Sequence, residues 1–282
     1  MIDVSSIRRD KILTVLSFVI FIIGLFAFLL PILYTLSLSF RYQPDVLIFP
    51  PTLIPPRFTI SAYPGMLTII PVFKYIMNSA VVAAGTTIIC ISLASLAAYS
   101  FARLRFRFAD QLMVLLLISQ MFPGASIMVP LFQVLKKLLL YDTHQGLVFV
   151  YSGFAVPFCT WMLYGYFKTI PKELEEAALI DGCSRINSLI KIILPLALPG
   201  IAATSVFAML SAWNEFTFAL LFIQTKAKFL ITPSLTLFIG QWKTDLSFLS
   251  AAAVTSSIPT LIAFILVRRY FVSGLVAGAL KG

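Results

Sequence analysis

The sequence predicts an all-α, polytopic membrane protein with six transmembrane helices, and three observations carry that expectation. Of 282 residues, 60% are hydrophobic and only 11% are charged, where soluble domains carry about 25% charged residues. A water-soluble fold of this size has nowhere to hide so much apolar surface, so the solvent is a bilayer. Six charge-free windows then divide the chain: Ile12–Phe40, Tyr75–Ala102, Gln111–Leu135, Thr143–Phe167, Ile192–Asn214 and Leu246–Val267. Each exceeds the roughly 20 residues a helix needs to cross about 30 Å of hydrocarbon.

Each element has a local reason. Arg8, Arg9 and Lys11 precede the first window and mimic a secretory signal. Its apolar stretch is far too long for one and no small-residue cleavage site closes it, so it reads as an uncleaved first helix. Residues 41–72 carry seven prolines (Pro44, Pro50, Pro51, Pro55, Pro56, Pro64, Pro71). They predict an ordered, extended loop without regular helix or central strand. Pro123–Leu140 holds two more prolines and Lys136-Lys137, which predicts a bent, partly interfacial segment anchored by the lysine pair. His144 beside Asp142 reads as a capping or interfacial residue. The fifth window is interrupted by Glu215 and then runs apolar through Thr225. Aromatics such as Trp161 and Trp242 suit a lipid-facing or interfacial belt. No internal repeat is evident, and residues 1–282 read as a single transmembrane domain.

Six spans put both termini on one side. Placing them in the cytoplasm gives that side Arg8, Arg9, Lys11, Arg103, Arg105, Arg107, Lys168, Lys172, Arg185, Lys191, Arg268, Arg269 and Lys281. These are thirteen of the 21 Lys and Arg, so the positive-inside rule favours cytoplasmic termini, an extracytoplasmic loop 41–72 and a cytoplasmic loop 168–199. The net charge of +10 is spread along the chain rather than clustered, which argues for topology and against nucleic acid.

The cytoplasmic loop has a mechanical logic. Pro171 opens a helix, Glu173, Glu175 and Glu176 favour its positive end, and Ala177 and Ala178 let another surface approach. Gly182 ends the helix. A basic amphipathic stretch follows until Leu194-Pro195 and Pro199 break it at re-entry. The pattern Glu176-Ala177-Ala178, then Asp181-Gly182, nine residues, and Ile192, Leu194 and Pro195 resembles the loop of ABC-importer permeases that engages the ATPase. Asn78–Ala83 and Ala97–Arg103 resemble the second span and following loop of carbohydrate-importer permeases. Trp213-Asn214-Glu215-Phe216 is similar to their fifth span, and Gly274–Gly282 to their C-terminal tail. The likeness is to the MalG-type member, the shorter of two paired permeases. Cys183 departs from it, since Ala commonly follows the Gly; a small residue is kept.

The resemblance implies a type I ABC-importer permease fold in a prokaryotic cytoplasmic (inner) membrane. It implies a second homologous permease, forming a heterodimer, with two ABC ATPase subunits and an extracytoplasmic solute-binding protein. The cargo implied is a carbohydrate: an oligosaccharide, a sugar or a polyol. ATP and Mg would be bound by the ATPases, with no cofactor in this chain. The expected moving part is the helix around Glu176–Gly182.

Glu215 has two readings, with Trp213 and Asn214 beside it. It lines a polar translocation path, or it makes a structural hydrogen bond between helices or lies near the membrane interface. An alternative function, a proton-coupled secondary transporter, would use Glu215 as its proton site. Absences bound the chemistry. None of the 13 glycines is followed by Lys, so there is no phosphate loop, and neither H-E-x-x-H nor G-x-S-x-G occurs. Cys90, Cys159 and Cys183 have no metal-ligand or disulfide spacing, and one His leaves most metal centres out of reach. The chain is expected to be no enzyme.

Overall fold

The computed structural model describes residues 4–104, 106–240 and 245–279, with side chains described between 13 and 268. Arg105, Trp242 and the final Leu280-Lys281-Gly282 lie outside these residues, as do the side chains of Arg8, Arg9, Lys11 and Arg269. The described residues are helical in the main, and a β-bridge joins Arg41 to Phe58. The chain divides into two compact units, Met1–Pro71 with Leu235–Thr255, and Val72–Ser234 with Ser256–Gly282.

The first unit begins with α1 (Val4–Ser39), whose most apolar window has none of its side chains buried, while Ser37 and Ser39 at its C-terminal end are buried. Residues 40–61 follow as an ordered loop. Phe40 stacks on Phe58 at 4.9 Å. Arg41, 1% exposed, donates to the Ser37 hydroxyl at 3.1 Å and to the Thr52 carbonyl. Buried Asp45 pairs with exposed Arg57 at 3.1 Å. Ser247 donates its backbone N–H and its hydroxyl to the Gln43 side-chain carbonyl at 3.1 and 2.7 Å. The Pro-rich segment is ordered, as expected, but it is not free of helix: α2 spans Ala62–Ile69 and includes Pro64. Pro64 sits in the first turn, where a backbone N–H has no intrahelical partner to lose.

The second unit is built on α3 (Val72–Arg103), α6 (His144–Thr169) and α10 (Leu198–Asn214). Their shared core is small and sulfur-bearing: Cys90, Ala94 and Ala98 of α3 pack with Ala155, Cys159 and Leu163 of α6 and Ala208 of α10. Without water to expel between helices, close van der Waals packing is what holds them, and small residues permit it. Gly200 belongs to this logic, since a Cβ there would lie 2.3 Å from the Tyr166 ring.

Two windows predicted as single spans are bent pairs. The third consists of α4 (Ala109–Ile118) with a 3₁₀ turn to Met121, then a further turn and α5 (Met128–Lys137), at 90° to each other across Phe122-Pro123. Pro123 cannot donate to a continuing helix, and the residue before it is driven to extended backbone; Phe122 has ψ 124°. The fifth is bent by 84° between Arg185–Leu196 and α10. Among the described residues four helices are long and apolar enough to cross a membrane, and up to six spans result when each bent pair counts as one. The last is α13 (Leu246–Ala279), reached after α11 (Thr217–Phe222) and α12 (Ile231–Ser234). The loop between α6 and α10 holds α7 (Lys172–Ile180), α8 (Arg185–Ser188), a π-helical turn Leu189–Ile193 and α9 (Leu194–Leu196).

Candidate functional site

Pro171 is the N-cap of α7, where its missing N–H costs nothing. The helix stops at Gly182 through a Schellman motif: Cys183 N–H donates to the Ala178 carbonyl at 2.9 Å and Gly182 N–H to Leu179 at 3.1 Å. Gly182 has φ +84°, yet a Cβ would meet nothing within 4 Å. Within this chain the glycine is required for its left-handed backbone and not for close approach of a neighbouring residue.

The helix presents two faces. Glu176, Ala177, Asp181 and Gly182 are exposed, joined by the apolar Leu174 and by Ile180, which is 86% exposed. Ile186 and Ile190 extend that surface. Ala178 turns inward and is buried within the protein. Ile192 and Leu194 are half-buried and Pro195 is exposed at the foot of the loop.

The inward face holds a residue that sequence reasoning assigned only to the helix end. Glu175, 4% exposed, pairs with the Arg103 guanidinium Nε at 3.1 Å, and the Tyr99 hydroxyl donates to its Oε1. Arg185, first residue of α8, stands 4.0 Å from the same oxygen. Arg103 also donates through Nη2 to the carbonyls of Phe167 and Ile170, at 3.1 and 2.8 Å. Those carbonyls end α6 and have no intrahelical donor left. One arginine thus ties the end of α3, the end of α6 and the start of α7 together. The available signal was a Tyr and an Arg four apart at a span's end, with an acid repeated in the next loop but one.

At the far end of α10, roughly 25 Å along the helix axis, the chain breaks again. Trp213 is buried and Asn214 exposed. Glu215 is extended (ψ 124°) and its carboxylate accepts from the N–H groups of Thr217, Phe218 and Ala219 at 2.9 to 3.2 Å, capping α11. The negative group sits where the free N–H groups and the helix dipole favour it. Those bonds lie within the carboxylate's own chain segment, and the carboxylate faces the Tyr151 hydroxyl of α6. The carboxylate also borders a cavity of about 220 Å³ with Gln120 and Tyr151. Glu215 and α7 are thus not brought into one site.

A third cluster joins two loops. Asp142, in the left-handed region at φ +57°, accepts from Gln224 N–H at 2.9 Å, Thr225 N–H at 3.1 Å and the Thr225 hydroxyl at 2.5 Å, and pairs with Lys228 at 3.3 Å. Burial pushes its carboxyl up, but the Thr225, Gln224 and Lys228 donors outweigh that and hold it well below the usual carboxylate range. His144 Nε2 lies 2.8 Å from the Lys228 carbonyl, a contact between the start of α6 and the Lys228 loop, while the cap of α6 is Thr143 rather than His144. Among the described residues no group of three His, Cys, Asp or Glu is placed to hold a metal.

Known proteins share this fold. A bacterial ABC transporter that imports the acidic polysaccharide alginate has a chain that superposes with a TM-score of 0.81 over 94% of this chain and 98% of its own. At 24% identity that likeness speaks for the fold, a type I importer permease. The trehalose/maltose transport system permease MalG of Thermococcus litoralis is 37% identical over 90% of this chain and 92% of its own length. The sulfoquinovosyl glycerol transport system permease SmoH of Agrobacterium fabrum is 33% identical over 90% and 89%. Residues 90–275, which carry the α3–α6–α10 core, the α7 loop and the Glu215 break, match one family throughout, and the chain belongs to it: the inner-membrane components of binding-protein-dependent transport systems, the permeases of ABC importers.

Proposed function

We propose that this permease moves a carbohydrate inward across the cytoplasmic membrane. The single observation that carries the cargo class is the set of relatives at 33–37% identity over nearly the whole chain, which are permeases for trehalose/maltose and for sulfoquinovosyl glycerol. The chain pairs with a second permease. Two ATPases supply ATP and Mg chemistry on the cytoplasmic side, and a solute-binding protein delivers sugar from outside. A solved complex of an alginate importer with its loaded periplasmic protein, which this chain matches at TM-score 0.70, is consistent with that assembly.

The energy enters at the exposed face of α7. Glu176, Ala177, Asp181 and Gly182, with Leu174 and Ile180, offer an acidic and apolar surface to a cytoplasmic partner. The buried face is fixed to α3 and α6 through Glu175 and Arg103, so force applied outside is delivered to two spans at once. Half-buried Ile192 and Leu194, with Pro195, hold the far side of the loop where it bends toward α10. The proton-coupled alternative finds no support. The relatives are ABC permeases, and the Glu215 carboxylate is engaged as an acceptor by three backbone N–H groups.

Reconstitution tests the proposal. With the second permease, the ATPases and the binding protein in liposomes, maltose or trehalose uptake is expected only with ATP present, and this chain alone is expected to hydrolyse none. Concentrative uptake that survives without ATP and follows a proton gradient would refute it.

A further inference from the structure

Two helix breaks of the second unit meet at one small cavity. Gln120 comes from the 3₁₀ turn after α4, and Glu215 from the break between α10 and α11. Tyr151 of α6 completes the polar lining. That residue is 4% exposed, and its hydroxyl faces the Glu215 carboxylate without closing a well-formed hydrogen bond to it. A buried hydroxyl and a carboxylate held apart at the edge of an open space leave a place for a ligand that accepts from one and donates to the other.

The other valences point the same way. Gln120 spends an Nε2 hydrogen on the Phe154 carbonyl at 2.9 Å, which leaves its own side-chain oxygen as an acceptor. Glu215 receives three N–H groups on a carboxylate with about four acceptor positions. Phe154 and Phe207 supply aromatic faces to the same space. A polyhydroxylated ring satisfies this set. Its hydroxyls donate to the Glu215 and Gln120 oxygens and accept from Tyr151, while its C–H face lies on an aromatic ring. A hydrocarbon would match neither the Tyr151 hydroxyl nor the Gln120 oxygen. The cavity of about 220 Å³ is large enough to take a sugar ring. Irregular backbone at membrane depth is tolerated where it lines a cavity, and interrupted helices are where transporters hold solutes.

We infer that this cavity is a sugar-ring subsite on the translocation route, read by Tyr151 and Gln120. The inference rests on the carbohydrate reading above and adds where on this chain a ring is held in transit.

The complete transporter with its binding protein, in proteoliposomes, provides the test, with uptake of radiolabelled maltose and trehalose and ATP hydrolysis measured in the same sample. Tyr151→Phe removes one hydroxyl and Gln120→Leu one amide. Each is expected to lower sugar moved per ATP about fivefold, the loss of roughly one hydrogen bond. Tyr164→Phe, on the same helix but outside the cavity, is expected to keep the wild-type ratio. Unchanged ratios in both cavity variants overturn the subsite and leave the carbohydrate reading standing. A wild-type transporter that concentrates another solute class and neither sugar overturns both. Ser211→Cys, also bordering the cavity, gives a reading that does not depend on the stability of the first two variants. Its maleimide labelling during turnover is expected to slow at least about twofold with maltose-loaded binding protein, one ring covering the thiol; equal rates with loaded and empty protein overturn the subsite.

Discussion

At the C-terminal end of α3 the Arg103 guanidinium divides its donors between one carboxylate and two carbonyls, with its side chain 3% exposed and that of Glu175 6% exposed. A pair so fully removed from water is weak evidence of net stability, but removing one partner strands the other charge. Arg103→Gln is expected to cost about 3–5 kcal/mol, read as a lowered melting temperature of the solubilised transporter. Adding Glu175→Gln is expected to restore part of it, giving a coupling between the two sites that a double-mutant cycle measures. Gly182 makes a second prediction. At φ +84° a β-branched residue bears about 1–2 kcal/mol of strain, so Gly182→Val is expected to leave the protein in the membrane but weaken ATPase assembly and uptake. Gly182→Asn is expected to retain more of both, since Asn tolerates that backbone. The role of Gly182 was legible because one residue type and one helix end suffice to specify it. That of Glu175 was not: three acids stand within four positions, and which one turns inward depends on where α3 and α6 end, 70 residues and a few residues earlier respectively.

Among elements, the bends separate what hydropathy can and cannot reveal. Windows of apolar residues locate all six spans, yet the third and fifth are folded at 90° and 84°. Hydropathy counts the residues that tolerate lipid and is blind to direction. Proline carries direction, and Pro123, Pro195 and Pro199 mark both bends within two or three residues. Pro64 shows the limit of that signal, since its position within the first turn of α2, not its presence, decides the outcome. The loop pairing around Asp142 was not legible, because its partners lie more than 80 residues away. Its carboxyl is held below the usual range, so its contribution is complete above the ordinary Asp pKa of about 3.9 and is lost as pH falls from there toward the folded value. Hydrogen-exchange protection of the Gln224 and Thr225 amides is expected to be level from neutral pH down to about pH 4 and to fall below it. Asp142→Asn is expected to reduce that protection across the level range.

For the molecule as a whole, the proposed orientation puts α7 and both termini in the cytoplasm and residues 41–72 outside. Single-cysteine labelling in intact cells checks it. Lys172→Cys and Ile54→Cys, both at exposed positions, are made in a Cys183→Ser background; Cys90 and Cys159 are buried. An impermeant maleimide is expected to modify position 54 and spare position 172, and modification of position 172 from outside inverts the topology. Phe49 is 92% exposed, with Leu47 and Ile54 nearly as bare, so the segment around Ile54 is reachable once the side is right. The type I importer fold was legible at this scale through local motifs alone. Their order along the chain, and the spans between them, carry the architecture that 24% identity to a solved permease preserves.

The π-helical turn Leu189–Ile193, closed by Leu194 N–H on the Leu189 carbonyl, bears on how the nine residues between Gly182 and Ile192 are to be understood. A π turn accommodates one residue more than an α turn for the same advance. The extra residue is taken up inside that wider turn, so the helix beyond it keeps nearly the phase of a plain α-helix one residue shorter. The nine-residue interval is therefore one residue longer than the path it spans. Deleting the exposed Ile190 would let the turn close as α-helix with rise and phase nearly unchanged. The same deletion in a regular α-helix would swing everything beyond it by about 100°. The π turn thus marks the place where this stretch tolerates a change of length that a regular helix would turn into a change of direction.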